Sequence, residues 1–596
     1  MNLSLNSLQE YIKNKLKMLN SEDKKYSKLV LYLTLFGFVL RFFAARNLDV
    51  LADDMVYASQ SAGIISSGII STHSNPPLFF YLTDLAYQIF GYTTLASRLL
   101  PLIAGTLLIP LTYLISKDLL KDSKSSFFAA LFVAISSFLV KMTFTEQSLV
   151  VLFFIFSGVY IGLLFLKNPK YPTLLLSSSM FGIALLTKYS APFFIISFVI
   201  YSLYTIKSGN IRNIKLKHIL VFAGILLLFS MPFLSFNYLI YKQKGIVDVY
   251  FSRLVHLNST QELYAGLGGQ ENSFIDNLLN IRNYQNYKLP FFTDTILVIF
   301  AFFGIYKIFK NDKKVFYFTL IFLAIPFVLQ SAGAPLEKHF AFMYILLAIP
   351  AGLGLGETMR LSGNRKYLKI GIFTVMGLFL LFSLSVPRGT PPSYFTQSPT
   401  SQLKTLINEE VEQGSLLVFD SRIYTARSVW LATDHAYVNP EQAIQIFNQI
   451  FEQKIPSSER TSVYFVECVI EDCGWGWVST NQELNRSAEN FVSAISSSSD
   501  IINEIQENNR EYYRVYKTNM NIPKSYLEQI KKSQTFYFVP YLYLNLENYL
   551  FSYKTVDPFS KLLVNSSRIV IILSMLVTLL SFILIGFLLF SKPRRS

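Results

Sequence analysis

Charge is scarce in this chain. Only 15% of its 596 residues are charged, while 52% are hydrophobic and 16% aromatic. Ordinary soluble domains carry roughly 25% charged residues, so a plain soluble enzyme is excluded. The 27 glycines follow no period, and 54 Phe with 36 Tyr supply ample apolar surface, which rules out a collagen-like fibre and a disordered chain. No GxGxxG or GxxxxGKS run opens a helix, which argues against a nucleotide site. No internal repeat is visible, and ionisable residues gather at the ends of the apolar runs rather than inside them. Both absences weaken a transporter or flippase of lipid-linked or polar substrates, the alternative function class for such a chain.

What the chain has is apolar runs near the ~20 residues needed to cross a bilayer. They recur near 29–45, 97–116, 125–140, 145–166, 172–187, 190–206, 217–239, 290–306, 315–332, 340–356, 368–387 and 567–591, which predicts about twelve transmembrane helices. The formal net charge of +15 falls in short clusters between these runs. Lys117/Lys121/Lys124, Lys167/Lys170, Lys307/Lys310/Lys313/Lys314 and Arg360/Arg365/Lys366 all land on the side of the Lys-rich head. That is the positive-inside pattern of a multi-pass protein with both ends in the cytoplasm, and it accounts for the basic excess without a nucleic-acid partner.

The alternation divides the chain into a cytoplasmic tail 1–28, a transmembrane module 29–387, an extracytoplasmic segment 388–566, a last helix 567–591 and a short tail 592–596. Helix-like runs (Ser401 to Glu412, Pro440 to Gln453, Ser487 to Ser497) alternate in 388–566 with strand-like runs (Ser415 to Phe419, Ser462 to Glu467, Tyr512 to Tyr516), the pattern of a small α/β domain. Cys468 and Cys473 lie there with four residues between them, and an oxidising compartment favours a disulfide over free thiols. Asn258-Ser259-Thr260, Asn485-Arg486-Ser487 and Asn565-Ser566-Ser567 fit the glycosylation acceptor pattern on the same side.

Chemistry concentrates in the first outer loop. Asp53 and Asp54 stand just beyond a span, followed by Tyr57, His73, Asn75-Pro76-Pro77-Leu78, Phe90-Gly91 and Arg98-Leu99. A carboxylate at the membrane surface can take a proton from an attacking hydroxyl, and two adjacent ones can help hold a divalent metal. The two acids also suit the start of a helix over Met55–Ser67, but capping leaves the rest of the loop unexplained. Glu146 opens a later span as a second carboxylate for acid chemistry or a metal, or as a helix-terminal acid.

This constellation resembles the membrane glycosyltransferases of the C-type (GT-C) fold, in the superfamily of protein mannosyltransferases and aminoarabinose transferases. The resemblance rests on Asp53-Asp54, Asn75-Pro76-Pro77-Leu78, Phe90-Gly91 through Arg98-Leu99, Leu186-Thr187-Lys188, and Lys338-His339-Phe340 through Tyr344 and Pro350. The family more often has Glu where Asp54 stands and His where Asn75 stands, with His73 nearby.

The resemblance implies an α-helical polytopic GT-C protein with an extracytoplasmic α/β domain. It implies inverting transfer of a hexose or pentose, mannose by default, from a polyprenyl- or dolichyl-phosphate donor to a protein, lipid or glycan acceptor. Asp53 would be the base and Asp54 its helper. Lys188, Lys338, His339 and Arg98 would meet the donor phosphate, although each also suits snorkelling at a span end. Tyr57, His73, Asn75, Pro76 and Pro77 would form the substrate loop. No cofactor is required; a divalent metal is compatible. The site would face outward from a plasma membrane, or an endoplasmic reticulum membrane in a eukaryote. An oligosaccharyltransferase would need a Trp-rich acceptor motif, which three Trp do not supply.

Overall fold

The computed structural model describes residues 21–48, 52–72, 75–208, 214–245, 247–255, 274–333, 336–363 and 557–589, with isolated positions from 365 to 377. Within 397–540 it describes all but 421, 424–429, 433–434, 454–458, 471–472, most of 474–498, 508, 534 and 537–538. His73, the Gly-rich run Tyr264–Gly269, the apolar run from 378, Asn258 and Asn485 lie outside the described residues.

A helical body carries the principal helices α1 (Ser21–Asn47), α2 (Ala52–Ser61), α3 (Leu78–Phe90), α4 (Leu99–Leu120), α5 (Ser123–Ile135), α6 (Ser148–Lys167), α7 (Tyr171–Thr187), α8 (Ala191–Lys207), α9 (Leu216–Lys244), α10 (Thr295–Asn311), α11 (Lys313–Gly333) and α12 (Ala341–Leu361). In hydrocarbon every backbone group must be satisfied within its own segment, which is why these apolar runs are helices. Seven helices among the described residues are long and apolar enough to cross a membrane, or eight if Ile281–Thr293 and α10, bent by 103°, make one span. Of the other runs among the twelve expected, three fold as the shorter apolar helices α5, α7 and α8, and 368–387 lies largely outside the described residues. The chain is a multi-pass membrane protein.

The break after α5 is held at both sides by buried charge. Arg41 donates to the carbonyls of Val133 at 2.9 Å and Ala134 at 3.2 Å, which α5 leaves unpaired at its C-terminus. Asp294 accepts from Ser136 Oγ and the Ser137 amide, each at 3.1 Å, where the next short helix begins. A cation on orphan carbonyls and an anion on orphan amides match the helix dipoles. At the Lys-rich end, Asp23 pairs with Lys117 at 2.9 Å and Asp118 with Lys167.

The C-terminal domain is α/β. Its helices are α13 (Pro399–Glu410), α14 (Pro440–Gln453) and α15 (Lys524–Ser533). Its strands are β1 (Leu416–Phe419), β2 (Ala436–Val438), β3 (Arg460–Cys468), β4 (Ser499–Glu507) and β5 (Arg510–Pro523), in the order β2-β1-β3-β5-β4. β2, β1 and β3 run parallel; β5 pairs antiparallel with β3, and β4 with β5. Cys468 and Cys473 form a disulfide with Cα atoms 6.0 Å apart.

The last helix, α16, spans Pro558–Leu589 and so starts earlier than residue 567. Asp557 caps it, accepting from the Ser560 amide at 3.0 Å and Ser560 Oγ at 2.7 Å, and Pro at the first helical position suits that start. Asn565 therefore lies inside a helix, not in an acceptor loop.

The two parts meet around Trp430. It is buried among Met55, Val56, Ala58, Tyr87 and Ala96, and Ser401 Oγ donates to Thr94 Oγ1 at 3.2 Å while Asn408 donates to the Tyr92 carbonyl at 3.0 Å. The α/β domain thus rests directly on α2, the helix that carries the two adjacent acids.

Candidate active site

The first loop folds as two corners. Asp53 and Asp54 sit inside the first turn of α2 rather than ahead of a helix at Met55. The helix ends at Ser61 and turns through Gly63, whose φ of 74° favours glycine, into a single turn over Ile64–Ser67. Asp84 of α3 accepts from the amides of Gly63 at 3.1 Å and Ile65 at 2.9 Å. The acid that interrupts an apolar run in sequence is therefore a clamp on this corner. Pro76 and Pro77 lead into α3, with Pro77 as its cap. Asn75 is buried, and its backbone N–H donates to Thr72 Oγ1 at 3.0 Å.

Asp54 and Arg98 form a buried ion pair. Arg98 also donates to the carbonyls of Leu48 at 2.8 Å and Ala45 at 3.0 Å. The expected phosphate ligand and the expected helper acid thus hold each other, tying α2 to the end of α1. A buried pair of this kind is costly to break because the survivor stays charged without water. Position 53 lies one helical turn before Tyr57 along α2. Lys338 Nζ stands over the Tyr57 ring, 5.4 Å from its centroid.

Lys188, at the end of α7, forms an ion pair with buried Glu146 and donates to Ser148 Oγ at 2.8 Å. The second carboxylate oxygen of Glu146 accepts from the Ser148 amide, at the start of α6. Burial pushes the Glu146 carboxyl upward, and the positive charges of Lys188, Lys338 and His339 outweigh it and hold the group at about 2. Three of the four expected phosphate cations therefore act on one carboxylate. His339 Nδ1 lies 3.1 Å from Gln330 Nε2. Among the described residues no three His, Cys, Asp or Glu side chains gather as metal ligands, and Asp54 and Glu146 each serve a cation.

Lys188 and His339 line a small cavity with Asn75, Tyr189, Ser190, Phe193, Tyr250 and Gln330. A second cavity of about 290 Å³ lies between α10, α11 and α12, lined almost wholly by apolar side chains that include Phe327, Met343 and Leu347. The two share α11, where Phe327 is about one turn before Gln330; the apolar one continues onto Met343 of α12, while His339 lies in the short turn Glu337–Phe340 before that helix.

Sequence reasoning passed over Tyr189, Tyr250, Asp248 and Gln330. Tyr189 donates to Asp248 at 2.8 Å, and Asn237 holds the same carboxylate at 2.6 Å, so α9 and the segment after it are stitched to the cavity wall. Gln330 did carry a signal, as an amide inside an apolar helix.

Residues 74–236 match the family described as dolichyl-phosphate-mannose-protein mannosyltransferase. The match takes in Asn75, Arg98, Glu146 and Lys188 but not Asp53, Lys338 or His339. Among solved structures, ArnT from Cupriavidus metallidurans bound to undecaprenyl phosphate superposes with a TM-score of 0.53 at 12% identity, over 82% of this chain and 98% of that one. Its apo state gives 0.54, again at 12% identity over 82% and 98%. An Archaeoglobus fulgidus oligosaccharyltransferase in the apo form gives 0.46 at 14% identity over 81% and 80%. No curated protein sequence matches the chain. The chain has the GT-C fold seen in ArnT.

Proposed function

We propose that this chain is a membrane glycosyltransferase that moves a sugar, mannose by default, from a polyprenyl- or dolichyl-phosphate donor to an acceptor at the extracytoplasmic face. The observation that carries the reading is a pair of unlike cavities along α11. One is polar and offers Lys188 and His339; the other is apolar, about 290 Å³, and is lined by the same helix, α11. A lipid phosphate has that duality, a dianionic head on a hydrocarbon tail. The ArnT relative was crystallised with undecaprenyl phosphate, and the matching family is described by a dolichyl-phosphate sugar.

In this reading Lys188, Lys338 and His339 stabilise the charge that builds on the leaving phosphate, in a site shielded from bulk water. Glu146 moderates that field, because the phosphate must share Lys188 with it. The carboxylate at position 53 takes the proton of the acceptor's attacking group on the opposite face of the sugar, which inverts the anomeric carbon. Asp54, engaged by Arg98, supports the helix that presents position 53. The acceptor is a protein, lipid or glycan, and the membrane is the plasma membrane, or the endoplasmic reticulum membrane in a eukaryotic host. No metal is required by these steps.

Asp53→Asn tests the assignment. In a membrane assay with lipid-linked donor, the variant should fold and bind lipid phosphate but lose about 10²–10⁴-fold in transfer rate. Transfer at the wild-type rate would remove position 53 from the chemistry.

A further inference from the structure

Tyr189 and Tyr250, two residues of the polar cavity's wall, hang on one buried carboxylate. Asp248 is fully buried, and its oxygens serve different ends. Oδ1 accepts from the backbone N–H groups of Tyr250 at 2.9 Å and Phe251 at 2.8 Å, an ordinary cap for the short helix Val249–Val255. Oδ2 makes bonds that a cap does not need. It accepts from the Tyr189 hydroxyl at 2.8 Å and from Asn237 Nδ2 at 2.6 Å.

Asn237 fixes the direction of this network. Its Oδ1 accepts from the Asp248 N–H at 2.8 Å, and its Nδ2 also donates to the Phe233 carbonyl at 2.9 Å, so only the amide nitrogen can face the carboxylate. A carboxylate accepts and does not donate, which makes Tyr189 the donor. The Tyr189 ring is held as well, with its centroid 5.5 Å from that of Phe233 and 5.4 Å from that of Tyr250. Burying a carboxylate costs hydration that an apolar side chain would not lose, and packing alone does not call for one here.

Tyr189 stands between Lys188 and Ser190 in the corner that joins α7, ending at Thr187, to α8, beginning at Ala191. All three corner residues line the cavity with His339, while Asp248 does not. In so short a connection Tyr189 cannot shift without carrying Lys188 along, and a cavity of about 50 Å³ leaves little slack. We propose that Asp248 is a positioning residue for the donor phosphate: through Tyr189 and Tyr250 it sets the wall that carries Lys188, without itself touching the ligand. The inference rests on the glycosyltransferase reading, in which this cavity takes the phosphate head.

The test is binding of a sugar-free, short-chain polyprenyl phosphate to the full chain in detergent, alongside melting curves. Tyr189→Phe removes one oxygen and keeps the ring, and Asp248→Asn keeps an oxygen for the cap while setting an amide against Tyr189 and Asn237. Each should weaken the lipid phosphate by about 10-fold at a temperature where the protein is folded. The double variant should bind within about 2-fold of the weaker single one, since both changes cut the same link. Lowered melting temperatures with affinities within about 2-fold of wild type would reduce the network to a structural cap and overturn the proposal. So would losses that add in full in the double variant, because Asp248 would then not act through Tyr189. Failure of the wild type to bind the lipid phosphate would instead bring down the donor reading, and this inference with it.

Discussion

Glu146 illustrates how burial and charge compete at one residue. Its folded pKa is depressed to about 2 from an ordinary 4.5, so its contribution to stability is complete above the ordinary value and is lost as pH falls through about 2. Glu146→Gln should cost about 3–5 kcal/mol near neutral pH, since it leaves Lys188 buried without its counter-charge. Melting curves of both forms in detergent should differ most above pH 5 and converge as the medium becomes strongly acidic. A gap that stays constant down to pH 2 would mean that the ion pair does not set this residue's energetics. The same logic separates the two neighbouring aspartates: position 54 is held in a buried pair with Arg98, whereas position 53 is reserved in the proposed chemistry for the acceptor.

Helices in this body approach closely where side chains vanish. A Cβ on Gly304 of α10 would stand 1.8 Å from the carbonyl oxygen of Pro350, and one on Gly354 of α12 would stand 2.1 Å from that of Phe300. Backbone cannot yield as a flexible side chain does, so α10 and α12 must separate to admit even one methyl group. Small residues at such contacts are how membrane helices gain packing where lipid offers no hydrophobic drive. Gly304→Ala should therefore lose about 1–3 kcal/mol, read as a lowered melting temperature in detergent. Gly224→Ala, where nothing lies within 4 Å, should be neutral or stabilising. Since α10 and α12 also wall the apolar cavity, the Gly304 variant is expected to weaken lipid-phosphate binding as well.

For the molecule as a whole, the notable contact is between the α/β domain and the acid-bearing helix. Trp430 is 1% exposed, its ring lies 6.2 Å from that of Tyr87, and Lys404 Nζ stands 5.1 Å from its centroid while donating to the Leu431 carbonyl at 3.0 Å. Removing a buried aromatic of this size costs about 3–5 kcal/mol. That loss should fall on the docking of the domain rather than on either fold alone. Trp430→Ala is expected to speed proteolytic release of the C-terminal domain and to lower the transfer rate, with lipid-phosphate affinity nearly unchanged because Lys188 and His339 stand outside the contact. Unchanged proteolysis would remove Trp430 as the anchor.

The amino-acid sequence alone determined the features that local solvation and period control. Long apolar runs had to become helices, basic clusters had to gather at one end, and the alternating segment after 388 had to become α/β, because each outcome depends on a residue and its near neighbours along the chain. α14 falls on its expected residues, and β3 contains the run expected for it. Boundaries set by distant partners were not legible. The start of α16 depends on a cap at Asp557, the stop of α5 on Arg41 and Asp294, and the corner after α2 on Asp84. The same limit applied to the candidate site, where Asp53, Lys188, Lys338 and His339 could be singled out by residue type and position, but not the pairing of Arg98 with Asp54 or of Lys188 with Glu146. Those pairings are long-range electrostatic choices, made only when folding brings several charges into one dry space and each must find the partner that costs it least hydration.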